Sequence, residues 1–192
     1  MTRRLLRVTL LGLIGLVALG ALLNSVAPGW ITVSVSPLAS ATSTRADSGG
    51  AGLPVTNKQC ELAGVTLVVE YPARNIPLVR CVSGFQGTGW QLFEAARVAV
   101  AGTDQYPQGF VCRIAGYPTV AQQPCHSTPT IREGNWTYWF ASAETGGKWH
   151  LAMQGAAARK PLCGNVEAWV FTTGEVRTEP AFSAKPLSCV ID

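Results

Sequence analysis

The stretch NWTYWFASAETGGKWHLAMQG, residues 135–155, holds three tryptophans, a tyrosine and a phenylalanine. Two runs within it, WTYWFAS and KWHLAMQ, alternate in a way that is typical of β-strands with two different faces. The AETGG between them carries two glycines, which suit a tight turn. The sequence therefore predicts a hairpin with strands at 136–142 and 148–154.

Alternation divides the aromatic side chains of this region between two faces of a sheet. The first strand would carry Trp136, Tyr138 and Phe140 on one face, with Trp139 on the other. The later run NVEAWVFT, residues 165–172, predicts a further strand on which Trp169 and Phe171 share a face. Trp139, Trp169 and Phe171 would form a ligand surface opposite the helix, and the alternative is that they shield a loop. We expect Trp90, Trp136 and Trp149 instead to fill the core under the helix.

The rest of the domain reads as strands around one helix. Strand-like runs occur at 64–71, 76–83 and 109–115, and residues 89–101 follow a helical period. Thr88 and Gln91 form a capping-box signature before that helix, and Gly102 would end it. The order is strand, strand, helix and four strands. We therefore predict an α+β fold, a β-grasp-like mixed sheet with a single crossing helix, stapled by disulfides.

Six cysteines, all beyond residue 59, predict a disulfide framework in an exported chain. Fifteen connectivities are open, and we expect the pairs that are adjacent in sequence, because each would flank a hairpin or close a loop. These pairs are Cys60 with Cys81, Cys112 with Cys125, and Cys163 with Cys189. Each would restrict the unfolded chain by about 3 kcal/mol. Since no Cys-x-x-Cys spacing occurs, we expect no metal site.

The first residues have the composition of an export signal. Basic residues at 3, 4 and 7 precede an uncharged apolar run, and Ala39-Ser40-Ala41 suits a signal peptidase. We expect a signal peptide at 1–41, with an uncleaved membrane anchor as the alternative. Residues 42–59 are rich in small and polar side chains and predict a flexible linker. The domain would span 60–172, followed by a tail at 173–192 that is tied by a disulfide.

Charge and motifs exclude several functional classes. The net charge of +4 includes three arginines of the signal, so the mature domain is nearly neutral and we expect no nucleic-acid partner. No nucleophile elbow, metalloprotease motif or paired carboxylates occur, and we expect no enzymatic activity. We expect three glutamates to lie on solvated faces, namely Glu70, Glu94 and Glu167.

Several short motifs together resemble a known family. These are Gly87-Thr88-Gly89 with Leu92 and Ala95-Ala96 on the helix, Tyr138-Trp139-Phe140, and the run from Gly164 to Phe171. Over residues 60–172 the chain resembles the C-terminal domain of transcobalamin and intrinsic factor, and more closely its exported actinobacterial relatives. Those relatives usually carry a second tryptophan where this chain has Phe140-Ala141.

The resemblance implies an exported, non-catalytic binding or accessory domain that captures a small hydrophobic or ring-shaped ligand for a membrane uptake system. We expect no resident cofactor, with a cobalamin-like compound as one candidate ligand. Expected partners are that ligand or a membrane transporter, with membrane association only if the N-terminal segment is uncleaved. The expected ligand-binding residues are Tyr138, Trp139, His150, Trp169 and Phe171. The alternative is a cell-envelope protein-interaction module that uses exposed aromatic side chains.

Overall fold

The structure is a computed structural model that describes residues 52–174 and 176–189. The predicted signal peptide, or anchor, and most of the predicted linker lie outside these residues. The described elements are β1 (Val55–Thr56), β2 (Gly64–Glu70), β3 (Leu78–Ser83), α1 (Gly89–Ala95), β4 (Val100–Gly102), β5 (Val111–Ile114), β6 (Asn135–Ala141), β7 (His150–Leu151) and β8 (Val166–Thr172).

Six of the strands form one mixed sheet in the order β1-β3-β2-β8-β6-β7, while β4 and β5 pair separately. The central neighbours β2 and β8 are parallel, and every other pair in the sheet is antiparallel. Six of the seven residues of β2 and all seven of β8 are buried, as expected of parallel strands that are covered on both faces. The predicted α+β class with a mixed sheet is confirmed.

Two apolar clusters cover the two faces of this sheet. On the helix side, residues of α1 such as Phe93 pack against β2, β6 and β8. On the tail side, Val68, Trp139 and Val170 pack with Phe182 of the tail. The tail is thus part of the core, and it covers the face that lies opposite the helix.

Hydrogen bonds fix the tail at several points. The carboxylate of Glu70 accepts bonds from the backbone N–H groups of Ala181 and Phe182, at 2.9 and 2.8 Å. The indole N–H of Trp149 donates to the Phe182 carbonyl at 3.0 Å. Trp149 therefore packs on the tail side, and the prediction that it fills the core under the helix was wrong. Glu70 is likewise engaged by the tail instead of lying on a free solvated face.

The helix begins as predicted but ends six residues early. Thr88 and Gln91 form the predicted capping box. The segment stops because Arg97 adopts a left-handed conformation, with φ of 57°. The N–H groups of Arg97 and Val98 then bond back to the carbonyls of Glu94 and Phe93, which is a Schellman motif. The residues after it form β4 with β5, so Gly102 lies in a strand and does not end the helix.

Two further boundaries differ from the prediction. Val55 and Thr56 pair with Val82 and Cys81, so the sheet begins within the segment predicted as linker. The predicted strand at 148–154 pairs only through His150–Leu151.

Three disulfides join the described chain in the sequence-adjacent pairs, with Cα separations of 4.9, 6.0 and 5.8 Å. They join Cys60 to Cys81, Cys112 to Cys125, and Cys163 to Cys189. Three disulfides are consistent with an oxidising, extracellular environment. No helix among residues 52–174 and 176–189 is both long and apolar enough to cross a membrane.

Candidate ligand-binding site

The register between β6 and β8 decides which aromatic rings meet. Tyr138 lies opposite Trp169, and Trp136 lies opposite Phe171. Directly opposite residues of an antiparallel pair point to the same face, so all four rings lie on the helix side. The rings of Tyr138 and Trp169 are stacked, with centroids 4.3 Å apart and planes 11° apart. Phe93 of α1 covers Trp169 at 5.6 Å.

Trp139 lies on the other face of the sheet. It is opposite Ala168, packs in the tail-side cluster, and donates its indole N–H to the Thr137 hydroxyl at 3.0 Å. The prediction that Trp139, Trp169 and Phe171 share one face opposite the helix was therefore wrong. The alternation of side chains along each strand was predicted correctly. The sequence does not show which face of one strand lies on the same side of the sheet as a given face of the other.

His150 is also apart from the predicted cluster. Its side chain is exposed in β7, and its ring centroid lies 5.8 Å from that of Phe140. Of the five predicted ligand residues, Tyr138, Trp169 and Phe171 share the helix-side cluster, whereas Trp139 and His150 lie elsewhere.

A pocket of about 180 Å³ opens beside the stacked rings. We call it the aromatic pocket; its aromatic walls are Trp136, Tyr138, Trp169 and Phe110. Ala152 and Met153 complete the wall on the side of the segment that follows β7, and Met153 is 93% exposed. The pocket therefore joins the buried aromatic cluster to the surface.

The hydroxyl of Tyr138 is buried and has no hydrogen-bond partner among the described residues. It lies against Gly89, the first residue of the helix, so a side chain at this position would force the Tyr138 ring to move. Burial raises the pKa of Tyr138 well above its usual value of 10.0, and the negative charge of Glu167 raises it further.

This shift predicts how stability depends on pH. The folded chain keeps the Tyr138 proton where the unfolded chain loses it, so the free energy of unfolding should fall as the pH rises above about 10. Tyr138→Phe should show a smaller fall, with little change at pH 8 because the hydroxyl makes no hydrogen bond to a described residue. Urea unfolding of both proteins between pH 8 and 11 measures this. Parallel pH profiles would contradict a buried, neutral Tyr138.

Glu167 is fully buried on the same face, so its prediction as a solvated residue was wrong. Both carboxylate oxygens accept bonds from Arg159, from Nε and Nη2, each at 3.0 Å. Asn165 donates a further bond at 3.3 Å. Burial alone would lower the pKa of Arg159, but hydrogen bonding and charge from Glu167 outweigh it and the pKa is raised. The guanidinium also stacks on Phe140, 3.8 Å from the ring centroid.

Arg159 was missed at the sequence level, although a signal existed. Glu167 stands inside an otherwise apolar strand, and a charged residue that is buried there needs an opposite charge. The sequence does not indicate which of the basic residues supplies it.

A larger cavity, of about 600 Å³, is formed by the end of β6, the loops at 142–144 and 159–165, and the last described residues of the tail. We call it the tail cavity. It is lined by Phe140, Glu144, Arg159, Lys160, Leu162 and Asn165, by Leu187 of the tail, and by the Cys163–Cys189 disulfide. Among the described residues, no group of three His, Cys, Asp or Glu side chains could hold a metal ion.

No family model, curated protein or solved structure matches this chain. The resemblance to cobalamin carriers therefore remains a prediction from the sequence motifs.

Proposed function

We propose that this chain is an exported, non-catalytic binding domain that holds a small apolar ligand in the aromatic pocket for a membrane uptake system. The supporting observation is the stacked pair of Tyr138 and Trp169, which forms a wall of a pocket open to solvent. Rings of this kind offer large apolar contact area, and their rotamers are already restricted by packing.

The volume of the pocket sets the size of the group that enters it. A cavity of about 150 Å³ is known to hold benzene, so about 180 Å³ suits one aromatic ring or one isoprene unit. A corrin ring with its substituents does not fit there. We therefore favour the isoprenoid or single-ring class over a cobalamin-like ligand.

We also propose that the fold is β-grasp-like. The hairpin β2–β3, the helix after it, and the sheet order β3-β2-β8-β6 with a parallel centre support this assignment. This arrangement is the one implied by the proposed kinship with transcobalamin-like exported domains.

Blocking the pocket tests the proposed function. Ala152 is half-buried in its wall, and phenylalanine at this position should fill the space. We expect prenol, a single isoprene unit with a hydroxyl group, to change the tryptophan fluorescence of the wild-type protein saturably. Ala152→Phe should weaken this binding at least about tenfold.

The matched control is Ala157→Phe, which adds the same ring at an exposed position that does not line the pocket. It should bind prenol like the wild type. If neither prenol nor benzyl alcohol binds the wild type, or if both variants bind equally, the aromatic pocket is not the ligand site.

The alternative of an interaction module with exposed aromatic side chains has less support. The five tryptophans of the described region are buried or half-buried. The most exposed large apolar residues are mainly aliphatic or methionine, such as Leu62 and Met153.

Export itself belongs to the same proposal. We propose residues 1–41 as a cleaved signal peptide, which predicts a mature chain that begins at Thr42. The intact mass of protein recovered from outside the producing cells measures this. Protein found in the membrane fraction of the cells, with a mass that retains residues 1–41, would favour the membrane anchor instead.

A further inference from the structure

We propose that the tail cavity is a second binding site, for a ligand that combines a flat apolar part with one anionic group. The site goes beyond the proposed function, because the tail cavity and the aromatic pocket share no lining residue. Its volume of about 600 Å³ lies in the usual range of small-molecule sites, whereas that of the aromatic pocket lies below it.

The apolar part of the ligand would meet Phe140, Leu162 and Leu187. Phe140 is half-buried, and the Arg159 guanidinium covers one face of its ring. Leu162 is 66% exposed and lines the cavity, so it presents apolar surface there. The cavity therefore offers a ligand one aromatic side chain and two aliphatic ones.

The anionic group would meet Arg159 and Lys160. Glu167 occupies Nε and Nη2 of Arg159, and the Arg159 side chain is 17% exposed at the cavity. The next residue, Lys160, is exposed and has no ion pair within the described part of the chain. Two cations thus line the cavity.

The acidic groups near these cations differ in their effect. Glu167 is fully buried, does not line the cavity and is already bonded to Arg159, so it weakens the attraction of that guanidinium for a second anion. Glu144 lines the cavity from the exposed turn before β7. Lys160 is therefore expected to contribute most of the anion preference, and Glu144 to oppose it.

The tail wall of this site depends on oxidation. Cys163 and Cys189 both line the cavity, and their disulfide ties the last described residues of the tail to the loop before β8. The N–H of Leu187 donates to the Gly164 carbonyl at 3.0 Å, and this bond also fixes the tail at the cavity. The site is therefore complete only in the oxidised chain.

A pair of fluorescent probes tests the proposal. Anilinonaphthalene sulfonate and phenylnaphthylamine share the same aromatic rings, but only the first carries a negative charge. We expect the folded wild-type protein to bind the sulfonate in a saturable, one-site titration, and to bind it more tightly than the neutral compound. Lys160→Gln should weaken sulfonate binding about threefold and leave the neutral probe unchanged.

Three control variants separate binding in the tail cavity from binding elsewhere on the protein. Lys148→Gln removes the same charge from an exposed position outside the cavity and should change sulfonate binding less than Lys160→Gln does. Glu144→Gln should strengthen it. Ala152→Phe, which blocks the aromatic pocket, should leave it unchanged.

Several results would overturn the proposal. These are no sulfonate binding, equal affinity for both probes, equal effects of Lys160→Gln and Lys148→Gln, or loss of sulfonate binding in Ala152→Phe. The prenol titration does not depend on the tail cavity. If the sulfonate experiment fails, the proposal for the aromatic pocket still stands, and if the prenol experiment fails, the proposal for the tail cavity still stands.

Discussion

Arg159→Ala is expected to lower the free energy of unfolding by about 3–5 kcal/mol. The reason is that Glu167 is fully buried, and without the guanidinium no described residue would carry an opposite charge bonded to it, although the Asn165 side chain would still donate a bond at 3.3 Å. The variant also loses the stacking contact with Phe140. Urea unfolding followed by far-ultraviolet circular dichroism, with the disulfides intact, measures the change.

Two comparisons make the Arg159 result specific. Lys160→Ala removes the neighbouring, exposed charge and should change stability by less than about 0.5 kcal/mol. The double variant Arg159→Met with Glu167→Leu replaces the pair by apolar groups and should recover most of the loss. A cost below about 1 kcal/mol for Arg159→Ala would contradict a buried, interdependent pair.

Trp169→Ala is expected to cost about 3–5 kcal/mol and also to abolish prenol binding. The side chain is 5% exposed, is stacked on Tyr138 and covered by Phe93, and lines the aromatic pocket. Its removal therefore leaves a cavity in the helix-side cluster and takes away one wall of the site.

Trp139→Ala is the matched control for this variant. Trp139 is 7% exposed but lies on the tail side of the sheet, so the loss of stability should be comparable while prenol binding is retained. Unfolding curves and prenol titrations of the two variants, below their unfolding transitions, give both quantities. Loss of binding in Trp139→Ala, with binding kept in Trp169→Ala, would contradict the assignment of faces.

The sequence predicted features that depend on local patterns or chain composition. Thr88 and Gln91 identified the start of the helix, and the even set of cysteines predicted a disulfide framework that the structure contains. Alternation along β6 and β8 separated Tyr138 from Trp139 correctly. Each of these signals depends either on residues that are close in sequence or on the composition of the whole chain.

Features that depend on pairing between distant segments were not predicted. Whether Trp169 meets Tyr138 or Trp139 is decided by the register of two strands about thirty residues apart, which a one-residue shift would reverse. The early end of the helix at Ala95 has the same origin, because Arg97 is not a residue that usually ends helices and the following residues are drawn into β4.

The tail illustrates the same limit of local patterns. Its sequence predicted a loose segment tied at Cys189, but its backbone is bound by the carboxylate of Glu70, 111 residues away along the chain, and by the indole of Trp149, 33 residues away. Backbone groups that bond to distant side chains leave no pattern in the tail itself. This is why the tail-side face was expected to be open to a ligand and is instead covered by the chain.

The measurement that tests the proposed site most directly is a nitrogen–proton correlation spectrum of the tryptophan indole groups during titration with prenol. The indole N–H groups of Trp136, Trp139 and Trp149 bond to Cys112, Thr137 and Phe182, respectively, so each has a distinct environment. We expect the signals of Trp136 and Trp169 to shift saturably while those of Trp139 and Trp149 stay in place. Shifts confined to Trp139 and Trp149, or no shifts at saturating prenol, would contradict a ligand site on the helix side of the sheet.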